Sequence, residues 1–499
     1  MKKIPHLIAA VDLGSNSFRL MVGRVEESEV GSQIYPLDQL KEPVRIASGL
    51  DEQKMLSAEA IARATEALQR FAERIRSFAP HQVRAVGTNT FRVAKNLKSF
   101  LPTLEAALGF PIEVIGGREE ARLIYIGVAH DLPGTQGDRL IVDIGGGSTE
   151  FIIGTQYEAR LTESLFLGCV SYSQRFFPEG EITAEAMKRA VLAARKEIQP
   201  IAQQYKETGW ALAAGSSGTA KALLELMEEL DLTTNSITPE AMRGLGVALL
   251  RAGHISTFKS NTLKPDRLPV LPGGWAIMMA IFEELGIEHM QVSESGLRQG
   301  VLYDLLGREQ HHDVRQVTVA QFMRRYGVDS DHASRVSALA GAFYHQLSGA
   351  QDESWRAQAL QQLAWAACLH EIGLAISHDG YHKHSAYIVA HSDMPGFSRK
   401  DQLHLSHLLL AHAGKLSKLL RLFPERHYWP MVLALRLAVL FYRRRVATVL
   451  PSLTLSSSSE KFTLAVAAGW LENNPLTEFG LRQEISEWSK VDLTLELVE

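Results

Sequence analysis

The chain has 499 residues, of which 46% are hydrophobic and 22% are charged, and its formal net charge at pH 7 is −4. This composition is typical of a soluble globular protein and excludes a disordered or fibrous one. The length predicts three or four domains. Two cysteines, Cys169 and Cys368, lie far apart in apolar surroundings, which predicts buried free thiols and a reducing compartment.

The N-terminal segment predicts three consecutive strands within residues 6–38. Its short apolar run is interrupted by Asp12, so no signal peptide is expected. The first two strands flank the turn Asp12-Leu-Gly-Ser-Asn-Ser17. A glycine followed by small residues lets backbone N–H groups converge on an anion, so the turn is a candidate phosphate site.

Two strand–turn–helix units follow a helix predicted over 57–78. A strand over 82–86 leads to Arg92, which either forks onto a phosphate or starts a helix in solvent. A strand over 112–115 leads through two glycines to Glu119 and Glu120 at the start of a helix. One of these carboxylates is a candidate general base; the alternative is that both merely favour the helix dipole.

A second hairpin, over residues 139–155, has the same plan as the first. Asp143 is followed by three glycines, Ser148, Thr149 and Glu150 between two apolar runs. The glycines and hydroxyls suit a phosphate, and Asp143 with Glu150 supplies hard oxygen ligands for a divalent cation. The alternative is a tight hairpin without a ligand. Since Asp12 and Asp143 are 131 residues apart, the repeat predicts two similar α/β domains that face each other across a cleft.

The remainder of this half alternates strands and helices to about residue 306. Strands are predicted at 139–143, 150–154, 158–166 and 210–214, with a long helix over 183–205. Residues 215–221 form a third small-residue turn that opens a helix, and the N–H groups at such a helix start favour an anion. Residues 271–275 open a further helix, and residues 291–300 form the last strand–turn–helix unit of this half.

The predicted secondary structure changes after the polar junction His311-His312-Asp313. Residues 314–450 show helical periodicity and no convincing strand, and a Ser-rich hairpin, a helix over about 477–490 and a last strand follow. The apolar stretch 431–442 contains Arg436 and is too short to span a bilayer, so no transmembrane segment is expected. The predicted domains are 1–125, 126–306, 307–450 and 451–499.

The region 307–450 carries 17 Lys and Arg against 11 Asp and Glu, a balance of +6. Such a segment attracts a polyanion, unless its charge is merely scattered and solvated. No nucleic-acid partner is expected. The candidate polyanion-binding residues of the whole chain are Arg19, Arg267, Lys383, Lys415 and Lys418.

The two Asp-x-Gly turns and the third turn resemble the superfamily of actin, sugar kinases and heat-shock ATPases. Within it, Asp12-Leu-Gly-Ser-Asn-Ser-Phe18, Gly117-Arg-Glu-Glu120 and Asp143-Ile-Gly-Gly-Gly-Ser-Thr-Glu150 resemble the exopolyphosphatase/guanosine pentaphosphate phosphatase family, and most closely its bacterial exopolyphosphatases. The resemblance implies two RNase H-like α/β domains, an all-helical HD-like domain and a small α+β C-terminal domain. It also implies a cytoplasmic, homodimeric enzyme, or one associated peripherally with the inner membrane surface.

The resemblance also implies roles for individual residues. Glu120 corresponds to the catalytic glutamate, and Asp143 with Glu150 to the ligands of Mg²⁺. Because successive helical residues point about 100° apart, Glu119 is then expected at the surface, where its replacement has little effect. The implied phosphate-binding residues are Asp12, Gly14, Ser15, Asn16, Ser17, Arg92, Gly145, Gly146, Gly147, Ser148, Gly215, Ser216, Ser217, Gly218 and Thr219.

The helical domain departs from the HD pattern. His370-Glu371 stands where that fold has His-Asp, and Val439 stands where a metal-binding Asp is expected. A dinuclear site needs those carboxylates, so the sequence predicts a metal-free descendant. His370, His384, His391 and His412 remain ligand candidates, against the alternative of structural histidines.

The expected activity is hydrolysis of the terminal phosphate of inorganic polyphosphate, with guanosine pentaphosphate as the alternative substrate. The stretch 369–387 favours the former, whereas Arg19 is also seen in relatives that act on the latter. Two remoter alternatives are a kinase of the same superfamily, which would release ADP, and a non-enzymatic polyphosphate sensor.

Overall fold

The computed structural model describes residues 6–28, 31–132, 137–264, 267–309, 313–349, 353–423, 426–458 and 461–498. The predicted junction His311-His312 lies outside these residues. The chain divides into two compact units, Met1–Asp313 and Val314–Glu499, each of which is described by itself. The division into four domains stays a prediction.

The first unit contains two five-stranded sheets, one for each hairpin. In the first sheet the strand order is β3-β2-β1-β4-β5, and in the second it is β10-β9-β6-β7-β8. Each sheet has three antiparallel strands in sequence order, and its first strand pairs in parallel with a later one. The two sheets therefore have the same topology, as the repeated hairpin predicted.

The elements of the first unit match the sequence-based order closely. The first sheet is formed by β1 (His6–Leu13), β2 (Phe18–Ser28), β3 (Gly31–Glu42), β4 (Val83–Gly87) and β5 (Ile112–Val114), with helices α1 (Ala58–Ile75), α2 (Asn89–Val93), α3 (Leu97–Leu108) and α4 (Gly117–Asp131). The second is formed by β6 (Arg139–Ile144), β7 (Thr149–Thr155), β8 (Glu158–Leu165), β9 (Leu212–Gly215) and β10 (Gln291–Val292), with helices α5 (Cys169–Phe176), α6 (Ala184–Thr208), α7 (Gly218–Glu229), α8 (Pro239–Ala252), α9 (Leu271–Leu285) and α10 (Leu297–Glu309).

Helices α4 and α10 each pack against the sheet of the other half of the unit. The last helix, α10, buries Val301 and Leu305 in the core of the first sheet, whereas α4 buries Tyr125 and Val128 against the second. The two helices touch through their backbones, because a Cβ atom at Gly300 would clash with the carbonyl oxygen of Leu123. This contact holds the N-terminus of α4, which carries Glu119 and Glu120, between the two sheets of the first unit.

A network of buried charges lies beside this contact and includes Glu119. The Arg122 guanidinium donates two hydrogen bonds of 2.8 Å to Glu119 and one of 2.5 Å to Asp304, and Arg84 donates to Asp304 at 2.5 Å. Glu119 is only 6% exposed. The expectation that Glu119 lies at the surface is therefore wrong. Burial of this carboxylate is compatible with charge because the arginines pair with it.

The second unit has one core that joins the helices to the terminal strands. Trp488 is fully buried and packs edge-on against Trp429 and Phe462, so residues 453–498 share a core with the helices before them. Its elements are α11 (Val314–Arg325), α12 (Ser330–Leu347), α13 (Glu353–Leu369), α14 (Tyr381–His391), α15 (Arg399–Ala411), α16 (Trp429–Phe441), β11 (Leu453–Ser458), β12 (Lys461–Val466), α17 (Pro475–Trp488) and β13 (Thr494–Val498).

Two of the four candidate histidines of this unit, His370 and His412, are buried, whereas His391 is exposed. Burial lowers the pKa of His370 to about 4 and that of His412 well below its usual value. Both rings are therefore neutral at pH 7. Val439 packs against the apolar core, as its side chain requires.

Among the described residues, one segment, Leu268–Leu285, is long and apolar enough to cross a membrane by length and composition. It largely coincides with α9, and 67% of the segment is buried inside the first unit. Such burial is ordinary for a core helix, so the segment is weak evidence for a span.

Candidate active site

A single cleft in the first unit brings together Asp12, Asp143 and Glu120. All three small-residue turns reach it. Its other lining residues include Gly14, Ser15, Asn16, Ser17, Arg19, Gly145, Gly146, Gly147, Ser148, Ser216, Ser217, Gly218, Thr219, Arg267 and Arg298. Three sequence candidates, Arg92, Glu150 and Gly215, are not in its lining. Arg92 is hydrogen-bonded to Glu120, Glu150 is paired with Asp143 across the hairpin, and Gly215 immediately precedes Ser216.

The first hairpin places Asp12 opposite Arg19 across strands β1 and β2. Opposed residues of an antiparallel pair share one face of the sheet, so both side chains reach the cleft. The turn between them is held from outside, since Thr90 Oγ1 donates a 2.8 Å hydrogen bond to Ser15 Oγ and Arg45 N–H donates to the Asn16 carbonyl at 2.8 Å.

The second hairpin repeats this arrangement with Asp143 opposite Glu150 across β6 and β7. A 2.8 Å hydrogen bond from Gly145 N–H to the Ser148 carbonyl closes the turn. The turn packs closely against the first half of the unit: a Cβ atom on Gly147 would meet the Asn89 side-chain amide, which would have to move. Glu150 in the second hairpin thus occupies the position that Arg19 occupies in the first.

The third turn is tied to the second hairpin. Ser216 Oγ donates a 2.6 Å hydrogen bond to Asp143 Oδ2, and Ser217 caps α7 by accepting from the N–H groups of Thr219 and Ala220. Arg267 lies against Gly218, where a Cβ atom would clash with its guanidinium. A helix N-terminus and an arginine thus share one wall of the cleft.

Glu120 projects into the cleft from the first turn of α4, and its partner is Arg92. The Arg92 Nη1 atom donates a 2.5 Å hydrogen bond to Glu120 Oε2 and a weaker one of 3.3 Å to the Ile115 carbonyl. The Arg92 side chain is 7% exposed and that of Glu120 is 10% exposed. The guanidinium therefore faces a carboxylate in this structure rather than open phosphate space.

The carboxylates of the cleft have raised pKa values. Desolvation raises the pKa of both Asp12 and Asp143 to about 6, with a smaller contribution from repulsion by Glu120. Desolvation, then Glu120 and Asp143, raise the pKa of Glu150 well above its usual value, although Ser164 Oγ donates to it at 2.9 Å. Crowded oxygens that repel one another are stabilised by a divalent cation. Oxygen ligands of this kind are the type that Mg²⁺ prefers.

Arg298 is a site residue that the sequence analysis missed. It lines the cleft, and desolvation together with the neighbouring Arg19 lowers its pKa to about 10. Asp12 opposes that shift. The signal was the glycine of the turn at 291–300, which immediately precedes α10, but the charged residue after it was not considered.

The polyanion candidates fall into two groups. Arg19 and Arg267 lie in the cleft. Lys383, Lys415 and Lys418 are exposed on the second unit.

The fold, with its two sheets of like topology, defines a protein of the actin-like ATPase superfamily. The sequence model of the Ppx/GppA phosphatase family matches residues 24–309, and that of Ppx/GppA phosphatase domain III matches residues 314–485. The first match covers more than half of the chain, so this protein belongs to the Ppx/GppA phosphatase family. It is accordingly a phosphatase by family, with a further helical domain at its C-terminal side.

Solved structures give the same picture. The chain is similar to the Ppx/GppA family member of Aquifex aeolicus, with 25% identity over 62% of this chain and 100% of that one, and a TM-score of 0.52. It shares the fold of an exopolyphosphatase from Cytophaga hutchinsonii, with 22% identity over 60% of this chain and 97% of that one, and a TM-score of 0.53.

Proposed function

We propose that the protein is a Mg²⁺-dependent exopolyphosphatase that hydrolyses the terminal phosphoanhydride bond of inorganic polyphosphate and releases orthophosphate. The observation that carries the proposal is the placement of Glu120 beside Asp143 in a cleft lined by three phosphate-type turns. Phosphoryl transfer needs positioning and charge neutralisation more than covalent help, and this cleft supplies both.

In this proposal Glu120 orients the attacking water and accepts its proton. Arg92 fixes the orientation of the carboxylate through the hydrogen bond to Oε2. Asp143 and Glu150 would hold Mg²⁺, which when bound neutralises charge on the phosphate oxygens. Ser216 and Ser164 support this role, since each donates to one of these carboxylates.

The phosphates would be bound by donors from both halves of the unit. The turns at Gly14–Ser17 and Gly145–Ser148 offer backbone N–H groups and hydroxyls, and the N-terminus of α7 adds a favourable dipole. Arg19, Arg267 and Arg298 add positive charge in the same cleft. This density of donors suits a substrate with several adjacent phosphates.

The basic second unit, through Lys383, Lys415 and Lys418, would hold the distal part of a long chain and so favour processive hydrolysis. A homodimer and a cytoplasmic location belong to the same proposal. The positive charge of the second unit supports the binding of a long polyphosphate chain, because exposed lysines attract a polyanion over about a Debye length.

The second candidate substrate is guanosine pentaphosphate, whose 5′-terminal phosphate would be removed. The specific observation in its favour is Arg19, which lies in the cleft opposite Asp12. An arginine at this position is also seen in relatives that act on guanosine pentaphosphate. Both substrates present a terminal phosphoanhydride to the same catalytic group, so one protein can perform both reactions.

The test is phosphate release by the purified full-length protein on long-chain polyphosphate and on guanosine pentaphosphate, side by side, with and without Mg²⁺. We expect faster release from polyphosphate, and none in excess chelator. Release from guanosine pentaphosphate alone would make it the substrate. In a parallel assay with ATP and a sugar or acetate acceptor, ADP formation would indicate a kinase. Binding of polyphosphate without phosphate release would indicate a sensor.

A further inference from the structure

A compact group of possible metal ligands lies in the second unit, and it shares no residue with the cleft of the first unit. It consists of His332, His370 and Glu371, whose ligand atoms all lie within 4.8 Å of one another. His332 Nε2 is 3.6 Å from Glu371 Oε1, and His370 Nε2 is 3.8 Å from the same oxygen. His332, which stands 38 positions before His370, is the ligand that the sequence analysis did not consider.

The two imidazole–carboxylate separations are close to those around a bound ion. Ligand atoms at about 2.1 Å from a tetrahedral ion are about 3.4 Å from one another, and the observed separations of 3.6 and 3.8 Å need only small movements to reach this value. Two imidazoles and one carboxylate form a common set of three protein ligands for zinc, with a water in the fourth position.

The free electron pair of His370 points into the group. Its Nδ1 atom makes a 2.7 Å hydrogen bond with the Ala367 carbonyl, which requires a proton on Nδ1. The Nε2 atom is therefore the unprotonated one, and it has no hydrogen-bond partner among the described residues although the side chain is fully buried. A backbone carbonyl on the far nitrogen is the usual support of a metal-bound histidine.

We propose that His332, His370 and Glu371 bind one divalent transition-metal ion of the zinc class. Imidazole ligands select such ions over Mg²⁺, which prefers oxygen. Only one ion is expected, because Val439 stands where a second carboxylate would be needed. The ion would join α12, which carries His332, to the segment that follows α13.

Arg445 is the competing cation. Its Nε and Nη2 atoms donate to Glu371 Oε1 at 3.0 and 2.8 Å. The guanidinium therefore neutralises the same carboxylate oxygen that would bind the ion. The Arg445 side chain is nevertheless 47% exposed, and it can withdraw into solvent. Metal binding and the Arg445–Glu371 pair are therefore expected to exclude each other.

The experiment is a zinc titration of chelator-treated, full-length protein by calorimetry, in buffer with excess Mg²⁺ and with the zinc content measured after dialysis. We expect one zinc per chain in the wild type. His332→Gln and Glu371→Gln should each weaken binding at least tenfold. The matched control is His391→Gln, an exposed histidine of α14, which should bind as the wild type does.

Arg445→Gln provides a test in the opposite direction, because removal of the competing cation should tighten zinc binding several-fold. Circular dichroism verifies that each variant is folded. Four-coordinate Co²⁺ should give intense visible bands with the wild type that are lost in His332→Gln. The proposal is overturned if the wild type retains no zinc, or if His332→Gln and Glu371→Gln bind zinc as well as His391→Gln does.

Discussion

Arg92 Nη1 lies 2.5 Å from Glu120 Oε2, and this ion pair connects two helices through residues that are 28 positions apart in the chain. Arg92 comes from the helix after β4, and Glu120 from the first turn of α4. Both side chains are largely buried. A buried pair of this kind restricts the carboxylate to one orientation, which is what a general base needs.

Glu120→Gln should lower turnover by about 10²–10⁴-fold, with substrate binding nearly unchanged, because the amide keeps the shape but cannot accept the proton. The measurement is steady-state phosphate release from polyphosphate, with binding measured separately. The control is Glu66→Gln, an exposed glutamate on α1. If Glu120→Gln weakens binding without slowing turnover, Glu120 is not the base.

Arg92→Gln distinguishes two roles for this arginine. If Arg92 positions Glu120, as the hydrogen bond indicates, kcat should fall at least tenfold while KM changes little. If it binds phosphate, as the sequence resemblance implied, KM should rise instead. Arg74→Gln, on the exposed side of α1, is the control and should change neither constant.

Asp143→Asn should abolish Mg²⁺ activation and stabilise the metal-free protein at pH 8. The pKa of Asp143 is raised to about 6 in the folded state, so the folded protein holds the proton more tightly than the unfolded one. Stability therefore falls as pH rises from about 4 to 6 and stays lower above. The neutral amide removes this penalty of about 1–3 kcal/mol. Thermal unfolding in chelator measures it, and a lower Tm of Asp143→Asn at pH 8 would contradict the argument.

The same pKa values predict how Mg²⁺ binding depends on pH. Metal ligands must be ionised, so the affinity for Mg²⁺ should fall as pH decreases through about 6, where Asp143 becomes protonated. Calorimetric titration of Mg²⁺ at pH 5, 6, 7 and 8 tests this dependence. An affinity that is constant over this range would show that Asp143 does not bind the ion.

Glu119→Gln should destabilise the protein by about 3–5 kcal/mol, since loss of one partner leaves Arg122 buried with incomplete pairing. The side chain of Glu119 is 4% exposed. The control is Glu163→Gln, which removes the partner of Arg118 from an exposed pair and should cost about 0–1 kcal/mol. Urea unfolding measures both. Equal effects would show that the buried network has no special importance.

Charge reversal on the second unit tests polymer binding. The triple variant Lys383→Glu, Lys415→Glu and Lys418→Glu should raise KM for long polyphosphate more than for short chains, because only long chains reach distal charges. The matched control reverses Lys188, Lys196 and Lys206, which are exposed on α6. Equal changes for all chain lengths, or for both variants, would remove these lysines from the proposal.

The sequence by itself determined the two hairpins and their relation. An Asp-x-Gly turn between apolar runs is a local feature: the glycine conformation and the strand period are encoded within about fifteen residues. The order of strands and helices along the chain, and the change to helices after residue 313, follow from local patterns of the same kind. The meeting of Asp12 and Asp143 in one cleft could be predicted because the repeat implied a paired arrangement.

The tertiary structure decided which side chains face one another. Glu119 and Glu120 are neighbours with the same charge, and only the packing of α4 against α10 sends Glu119 into the arginine network and Glu120 into the cleft. His332 likewise reaches His370 only because α12 packs against α13. Such contacts join residues far apart in the chain, and their energy depends on the packing of the whole unit, so no local pattern encodes them.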